Sequence, residues 1–224
     1  AGDRLAWTLI SRTPQPEAPR PLIVMCGGNS FSRYSAGVGY SLPAIEQGDV
    51  LLFDYPGTGD TKGEATLANF EAASDTVRSL AEETAGDARG IVFWGHSLGG
   101  FVCAEMASQS PRAAGMIIEA SARNLQDIAD AWRPWYIFFG GWRVDEALAR
   151  YDIVDTLKGF APPILILAGT HDRVLPRRLS SEIFAGLEAA GRDVEMVSFN
   201  AGHNTIVLAA GFNGVMDRFF EALD

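Results

Sequence analysis

The sequence predicts one α/β domain, with a mostly parallel central sheet and helices on both faces. Three observations lead to this fold class. The chain has 224 residues, which suits one such domain with a modest insertion better than two complete domains. Short β-rich apolar runs alternate along it with longer segments of helical period. The middle runs are apolar almost throughout, as expected of parallel strands that are covered on both faces.

The apolar runs predict seven strands. They are residues 5–11, 22–26, 50–54, 91–95, 116–119, 164–168 and 194–199. Apolar residues at helical spacing predict four longer helices. They are residues 65–84, 97–108, 179–190 and a C-terminal segment, 206–223, with an interruption near Gly211 or Gly214.

One segment, from residue 121 to about residue 161, interrupts this alternation. It holds Trp132, Trp135 and Trp142. A connection this long inside a compact domain is often a lid over a site. The alternative is that the aromatic side chains only pack the insertion onto the body. The two interpretations are compatible, because a lid packs on one side and contacts ligand on the other.

Charge and hydropathy exclude several classes of partner. The chain has 18 Lys and Arg against 28 Asp and Glu, a net charge of −10 without a basic cluster, which argues against nucleic acid. No apolar run approaches the roughly 18 residues that cross a bilayer, and no signal peptide is visible. We expect a soluble protein, with the cytoplasm slightly favoured. A trimmed export signal or anchor, and the oligomeric state, stay open.

The cysteine and histidine content is low. Cys26 and Cys103 cannot form a disulfide framework, and each is interpreted as a small buried hydrophobe rather than as half of a redox pair. With three histidines in all, no metal site is expected. The glycines at 57 and 59 complete no phosphate-binding motif. No cofactor is predicted.

The strongest motif is Gly95-His96-Ser97-Leu98-Gly99, which matches G-x-S-x-G between a β-rich run and a helical segment. Such a sharp strand-to-helix turn holds the serine hydroxyl exposed. The residues two before and two after the serine come too close for a Cβ, which explains both glycines. The helix N-terminus adds a positive dipole where negative charge develops. The alternative is a turn whose serine only caps the helix.

In this context the motif resembles the nucleophile elbow of the α/β-hydrolase fold, and the resemblance extends over nearly the whole chain. It implies one domain over residues 1–224, with a short aromatic-rich cap at about 121–161. It also implies an esterase- or lipase-like serine hydrolase whose triad follows the order nucleophile, acid, histidine.

The base should be a histidine within hydrogen-bond reach of Ser97. His203, between the last strand and the last helix, occupies the position where the fold places its base. His96 is adjacent to Ser97 within the elbow, so its ring is expected to point away from the hydroxyl. His171 lies beside the expected acid. The alternative for His203 is an exposed loop histidine.

The acid is predicted to be Asp172, which follows the strand at 164–168 in a stretch that resembles the family's G-x-x-D-x-x-V-P. It would accept the Nδ1 proton of His203 and stabilise the imidazolium. Some family members place the acid one strand earlier. Glu119 stands there and remains the alternative.

An oxyanion hole needs two backbone N–H groups. Leu98, the residue after the nucleophile, supplies one. The other should come from the loop after the strand at 22–26, where the family commonly has His-Gly-x and this chain has Cys26 in place of the histidine. Gly28 is chosen as the donor, with Asn29 as the near alternative.

These residues predict hydrolysis of a carboxylic ester through an acyl-enzyme intermediate. The aromatic insertion suggests a small-molecule substrate with an apolar acyl or alkyl group. Its candidate pocket residues are Asn29, Phe31, Trp132, Trp135 and Trp142. The same triad serves thioester, amide or peptide hydrolysis, acyl transfer and cofactor-free halogenation. A non-catalytic ligand-binding protein and a partner-binding protein with an exposed aromatic segment are the alternatives from other classes.

Overall fold

The computed structural model describes residues 5–12, 19–132 and 143–223. Its centre is a seven-stranded sheet in the order β1-β3-β2-β4-β5-β6-β7. The strands are β1 Trp7–Ile10, β2 Leu22–Cys26, β3 Asp49–Phe53, β4 Ile91–His96, β5 Ala113–Glu119, β6 Ile164–Gly169 and β7 Val194–Phe199. Strand β1 pairs antiparallel with β3 at one edge, and every other pair is parallel. All seven predicted strands are therefore present.

The helices cover both faces of the sheet. They are α1 Val38–Ala44, α2 Leu67–Ala85, α3 Gly99–Gln109, α4 Leu125–Trp132, α5 Glu146–Ala149, α6 Ile153–Leu157, α7 Arg177–Ala189 and α8 Phe212–Glu221. A π-helical turn, Arg33–Gly37, leads into α1, and a short 3-10 helix, Ile206–Leu208, precedes α8. The predicted interruption of the C-terminal helix falls at Gly211, whose φ of 83° lies in the left-handed region that glycine tolerates.

Alternation along the strands divides the core into two layers. Leu22, Val24 and Phe93 belong to the first, which α2, α3, α6 and α7 cover; we call it the α3 layer. Ile23 and Trp94 belong to the second, which α1 and α8 cover; we call it the α8 layer. Successive side chains of a strand point to opposite faces, so each buried strand serves both layers.

The prediction for the two cysteines was wrong in one respect. Cys26 and Cys103 are fully buried, as expected, but they form a disulfide. Cys26 has the same parity along β2 as Leu22 and Val24, so its side chain points into the α3 layer, where Cys103 lies on α3. The bond joins the end of β2 to the helix that follows the G-x-S-x-G turn.

The insertion is fastened at its base. Arg123 Nε donates to Asp152 Oδ2 at 2.7 Å, and Ile153 N donates to the Arg123 carbonyl at 2.8 Å. Beyond this neck, α6 is buried against α3 and α7 and forms part of the body. In the described ranges, no helix is both long and apolar enough to cross a membrane.

Candidate active site

Ser97 lies in the sharp turn between β4 and α3. Its φ of 55° is in the left-handed region, where a residue with a side chain is strained by about 1–3 kcal/mol. Three hydrogen bonds hold this turn. Ser97 N donates to the Glu119 carbonyl at 2.8 Å, and the Ser97 carbonyl accepts from Ser121 Oγ at 2.8 Å and from Gly100 N at 3.0 Å. The end of β5 therefore supports the strained serine.

The glycines on either side of the serine permit close packing at the turn. A Cβ on Gly95 would lie 2.5 Å from the Gly99 carbonyl oxygen, and a Cβ on Gly99 would lie 2.0 Å from the Cys26 carbonyl oxygen. No side chain fits at either distance. The two glycines let β4, α3 and the loop after β2 meet behind Ser97.

A histidine and a carboxylate come together at the same edge of the sheet. His203 Nδ1 lies 2.7 Å from Asp172 Oδ2, and the two side chains are only 10% and 1% exposed. Asp172 Oδ1 accepts from the backbone N–H groups of Val174 and Leu175, each at 2.8 Å. A carboxylate that accepts three hydrogen bonds is well suited to orient an imidazole.

Gly169, the last residue of β6, lets the histidine loop approach the acid loop. A Cβ on Gly169 would lie 2.5 Å from the Ala201 carbonyl oxygen. His171 N donates to that same oxygen at 3.0 Å. These contacts bring the loop that carries His203 over the carboxyl end of β6.

His96 joins the serine to the histidine loop. Its Nε2 lies 3.1 Å from the His203 carbonyl oxygen, and the two rings have centroids 4.9 Å apart. Burial and the neighbouring His203 lower the pKa of His96 to about 4, so the ring is neutral near neutral pH. Because a carbonyl oxygen only accepts, Nε2 of His96 carries the hydrogen.

Ser97 and His203 are the two predicted triad residues that are not in direct contact through a hydrogen bond. Within the described part of the chain, Ser97 Oγ makes no hydrogen bond to His203. Their loops are nevertheless adjacent through His96. Hydrogen bonds of general acid–base groups often shorten only when substrate binds.

Gly28 lies directly beside the serine. A Cβ there would be 3.0 Å from Ser97 Cβ and 3.1 Å from His96 Nδ1. Leu98, the other predicted N–H donor, begins the turn into α3. Asn29 is exposed in the turn that follows Gly28. The backbone of Gly28 therefore adjoins Ser97, as its predicted role requires.

Glu119 does not face the histidine. It is fully buried at the end of β5, where its Oε2 accepts from Trp94 Nε1 at 2.9 Å. Its Oε1 has no hydrogen-bond partner among the described residues. Burial raises the pKa of Glu119 to about 8, so the group is mainly protonated near neutral pH. Asp172, rather than Glu119, meets His203.

The predicted pocket residues have different environments. Phe31 is buried in the α8 layer, where a Cβ on Gly27 would meet its ring at 1.8 Å. Phe31 therefore packs in the core against Gly27, in the loop that follows β2. Trp132 is 49% exposed, and its Nε1 donates to the Val174 carbonyl at 2.9 Å, beside the acid loop. Trp135 and Trp142 lie outside the described residues.

A buried ion pair ties the loop after β2 to the loop after β3. Arg33 Nε donates to Asp54 Oδ2 at 2.9 Å, and a second nitrogen of the same guanidinium reaches Asp60 at 2.8 Å. Burial opposes ionisation of Asp54, but the donors from Arg33 and Asp60 hold its pKa below the usual value. Sequence reasoning missed Arg33. The sequence feature that could have pointed to this ion pair is Asp54, an acid at the end of a buried strand and before a glycine-rich turn.

A cavity of about 910 Å³ opens beside Leu98, between α2, α3 and residues 145–151. Sequence reasoning missed it as well, because Leu67 and Phe70 on α2 have the periodicity of core positions. The structure leaves these two side chains only half-buried, which the sequence does not show.

Comparison with known proteins supplies a family. Residues 22–160 match a model described as the alpha/beta hydrolase family. An uncharacterized protein of Mycobacterium tuberculosis is 28% identical over 193 residues, which are 85% of this chain and 66% of that protein. The human phosphatidylserine lipase ABHD16A is 25% identical over 192 residues, which are 82% of this chain and 33% of the lipase. The chain therefore spans about two thirds and one third of these relatives.

Solved structures with the same architecture include two esterases and a peptidase. Est1E from Butyrivibrio proteoclasticus has a TM-score of 0.74 at 18% identity, over 98% of this chain and 96% of that one. The Pyrococcus furiosus esterase Pf2001 has a TM-score of 0.73 at 13% identity, over 98% and 93%. The Pyrococcus horikoshii acylaminoacyl peptidase has a TM-score of 0.71 at 18% identity, over 97% and 39%. At these identities the likeness concerns the fold.

Proposed function

The chain belongs to the alpha/beta hydrolase family, and on that premise we propose that it is a serine hydrolase that cleaves a carboxylic ester. The observation that carries the proposal is the 2.7 Å contact between His203 and Asp172, in a loop that His96 connects to Ser97. Esterases among the structural neighbours and a lipase among the relatives favour an ester over other acyl compounds.

In the proposed reaction, Ser97 Oγ attacks the acyl carbonyl while His203 Nε2 takes its proton. Asp172 holds the Nδ1 hydrogen of His203 and stabilises the imidazolium. The N–H groups of Leu98 and Gly28 bind the oxyanion. His203 then returns the proton to the leaving alcohol, and an acyl-enzyme remains. A water activated by the same imidazole releases the acid and restores the serine.

The neutral state of His96 supports this scheme. Its ring lies 4.9 Å from the ring of His203, which must become cationic during the reaction. A second cation at that distance would oppose the imidazolium. Because burial keeps His96 uncharged near neutral pH, it holds the loop without repelling the base.

The part of the predicted insertion at 121–161 that lies between Arg123 and Asp152 is proposed to act as a cap over this edge of the sheet, whereas α6 belongs to the body. Its neck closes at Arg123 and Asp152. Trp132, at the end of α4, donates to the carbonyl of Val174, whose own N–H binds Asp172. This contact carries the insertion to the acid loop, where it would exclude water from the reacting groups.

Exchange of Ser97 for Ala tests the proposal. We expect wild type to be labelled by a fluorophosphonate probe and to hydrolyse p-nitrophenyl butanoate. Ser97→Ala should lose the label and about 10⁶-fold in kcat. Ser108→Ala, an exposed serine on the same helix α3, is the matched control and should behave as wild type.

Two outcomes would contradict the assignment. Undiminished labelling of Ser97→Ala would place the nucleophile elsewhere, and folded wild type without label or turnover would support a non-catalytic protein. A butanoyl anilide and a butanoyl thioester, measured beside the ester, identify the bond that is cleaved. If kcat/KM is higher on the anilide or the thioester, that compound class rather than the ester is the substrate.

A further inference from the structure

The cavity beside Leu98 is a groove whose floor is α3. Leu98, Val102 and Met106 lie one helical turn apart and share one face of the helix. Gln109 lines the far end, about 16 Å from Leu98 along the axis. Leu98, the residue after Ser97, lines the end of the groove that is nearest to the nucleophile elbow.

The walls of the groove are also mainly apolar. Leu67 and Phe70 line it from α2, and Leu148 and Tyr151 line it from the insertion. Leu67, Phe70 and Leu148 are only half-buried. A ligand in the groove would therefore cover apolar surface that the fold itself leaves in contact with water.

The arginines at the rim are paired with carboxylates. Glu71 of α2 accepts from Arg150 and, at 2.6 Å, from the Tyr151 hydroxyl, which fastens the insertion across the groove. Arg78 pairs with Glu82 at 3.4 Å and with Asp75 at 3.5 Å. Both arginines that line the groove in the described ranges thus have a carboxylate partner, although Nε of Arg78 is buried without a hydrogen-bond partner.

We propose that this groove binds the long unbranched acyl chain of the substrate, with the acyl carbonyl held at Ser97. Its length, the apolar side chains of its floor and the paired arginines at its rim fit a neutral hydrocarbon chain, and its end at Leu98 is the end nearest to the elbow. The inference rests on the proposed function for the reacting end, whereas the chain-binding surface consists of separate residues.

The test compares kcat/KM for p-nitrophenyl butanoate and p-nitrophenyl octanoate. Each methylene that becomes fully buried is worth about fourfold, so the octanoate ester should be favoured in wild type on the order of 100-fold. Val102→Trp fills the floor one turn beyond Leu98, and Leu148→Trp fills the groove from the insertion. Both should bring the octanoate to butanoate ratio close to one.

Ala149→Trp is the matched control. It adds the same indole to α5 at an exposed position next to Leu148 that does not line the groove. We expect it to keep the wild-type ratio. An equal loss of the ratio in Ala149→Trp would show that bulk on α5, rather than filling of the groove, changes the preference.

Binding without turnover separates this inference from the proposed function. In a Ser97→Ala background, calorimetric titration with the two esters should give at least a tenfold lower Kd for the octanoate, and Val102→Trp should remove the difference. Ester hydrolysis with a flat chain-length response, or a ratio unaffected by Val102→Trp and Leu148→Trp, would overturn the groove and leave the serine hydrolase standing. A chain-length difference in binding with no hydrolysis of any ester would support the groove and overturn the serine hydrolase.

Discussion

The carboxyl ends of β5 and β6 present two acids at the same edge of one sheet. Glu119 is the last residue of β5, and Asp172 follows the end of β6. Both are buried. Asp172 receives three hydrogen bonds, from His203 and from two backbone N–H groups. Glu119 receives one, from the Trp94 indole. The difference lies in the donors around each acid, since burial and position in the sheet are nearly shared.

Several buried groups near the elbow are uncharged near neutral pH. Burial raises the pKa of Glu119 to about 8 and lowers that of His96 to about 4. The phenol of Tyr40, packed 5.1 Å from the His96 ring, also has a raised pKa because of its burial and the nearby Glu119. These groups are mainly uncharged near neutral pH, and Asp172 is the acid of the two that contacts His203.

Of the substitutions at the two acids, Asp172→Asn should have the largest effect on activity. An amide cannot hold the imidazole of His203 in the same tautomer, so we expect kcat on p-nitrophenyl butanoate to fall about 10⁴-fold. Steady-state kinetics beside Glu119→Gln gives the direct contrast. If Asp172→Asn keeps its activity while Glu119→Gln loses it, the two acids have exchanged roles.

Glu119→Gln should change stability with little effect on rate. The native carboxyl keeps its proton up to a pKa of about 8, whereas the ordinary value is 4.5. Native protein thus binds more protons than unfolded protein between these values, and stability is lost as pH rises through them. From pH 6.5 to pH 9 the wild-type free energy of unfolding should fall by about 2 kcal/mol from this group.

Glu119→Gln should lack that fall, because the glutamine oxygen accepts from Trp94 without ionising. Urea unfolding at several pH values measures it. Measurement starts at pH 6.5 because His96, with its lowered pKa, removes stability as pH falls from 6.5 towards 4. Parallel profiles for the variant and wild type would mean that Glu119 titrates normally. We expect kcat within about threefold of wild type, since the group does not touch the reacting atoms.

Trp94→Phe should give the smallest shift in the pH profile of stability. It removes the donor to Glu119 Oε2, which is worth about 1 kcal/mol. With that donor lost, the pKa of Glu119 should rise further, and the alkaline fall in stability should reach to higher pH. The readout is the midpoint of the pH profile, which lost packing alone would not move. An unchanged midpoint would show that the indole does not favour the ionised carboxyl.

Much of the fold was predictable, because apolar runs of strand length alternate with segments of helical period. Residues 30–48 were left without a helix in the prediction, and α1 lies there with Pro43 inside it. The order serine, acid, histidine also pointed to residues that the structure brings to one edge. Those predictions depended on local pattern and chain order, which the sequence displays directly.

The features that the sequence did not predict depend on contacts between side chains that are distant in the chain. The Cys26–Cys103 disulfide joins residues 77 positions apart, and the pairing becomes visible only when α3 is known to cover that face of β2. The hydrogen bond between Trp94 and Glu119 likewise follows from the registry of two neighbouring strands. The groove beside Leu98 is formed by α2, α3 and residues 145–151, which come together only in the fold.

The link between Cys26 and α3 also has a consequence for how the protein is prepared. It closes a long loop and so restricts the denatured chain by an amount on the order of 4 kcal/mol in the chain-entropy model. Thioredoxin and glutathione keep cysteines reduced in the cytosol of most expression hosts. Material made in an oxidising compartment should therefore withstand heating better than the same polypeptide made with free thiols. Because both sulfur atoms are shielded from solvent, added reductant should convert one form into the other only after the native body has opened.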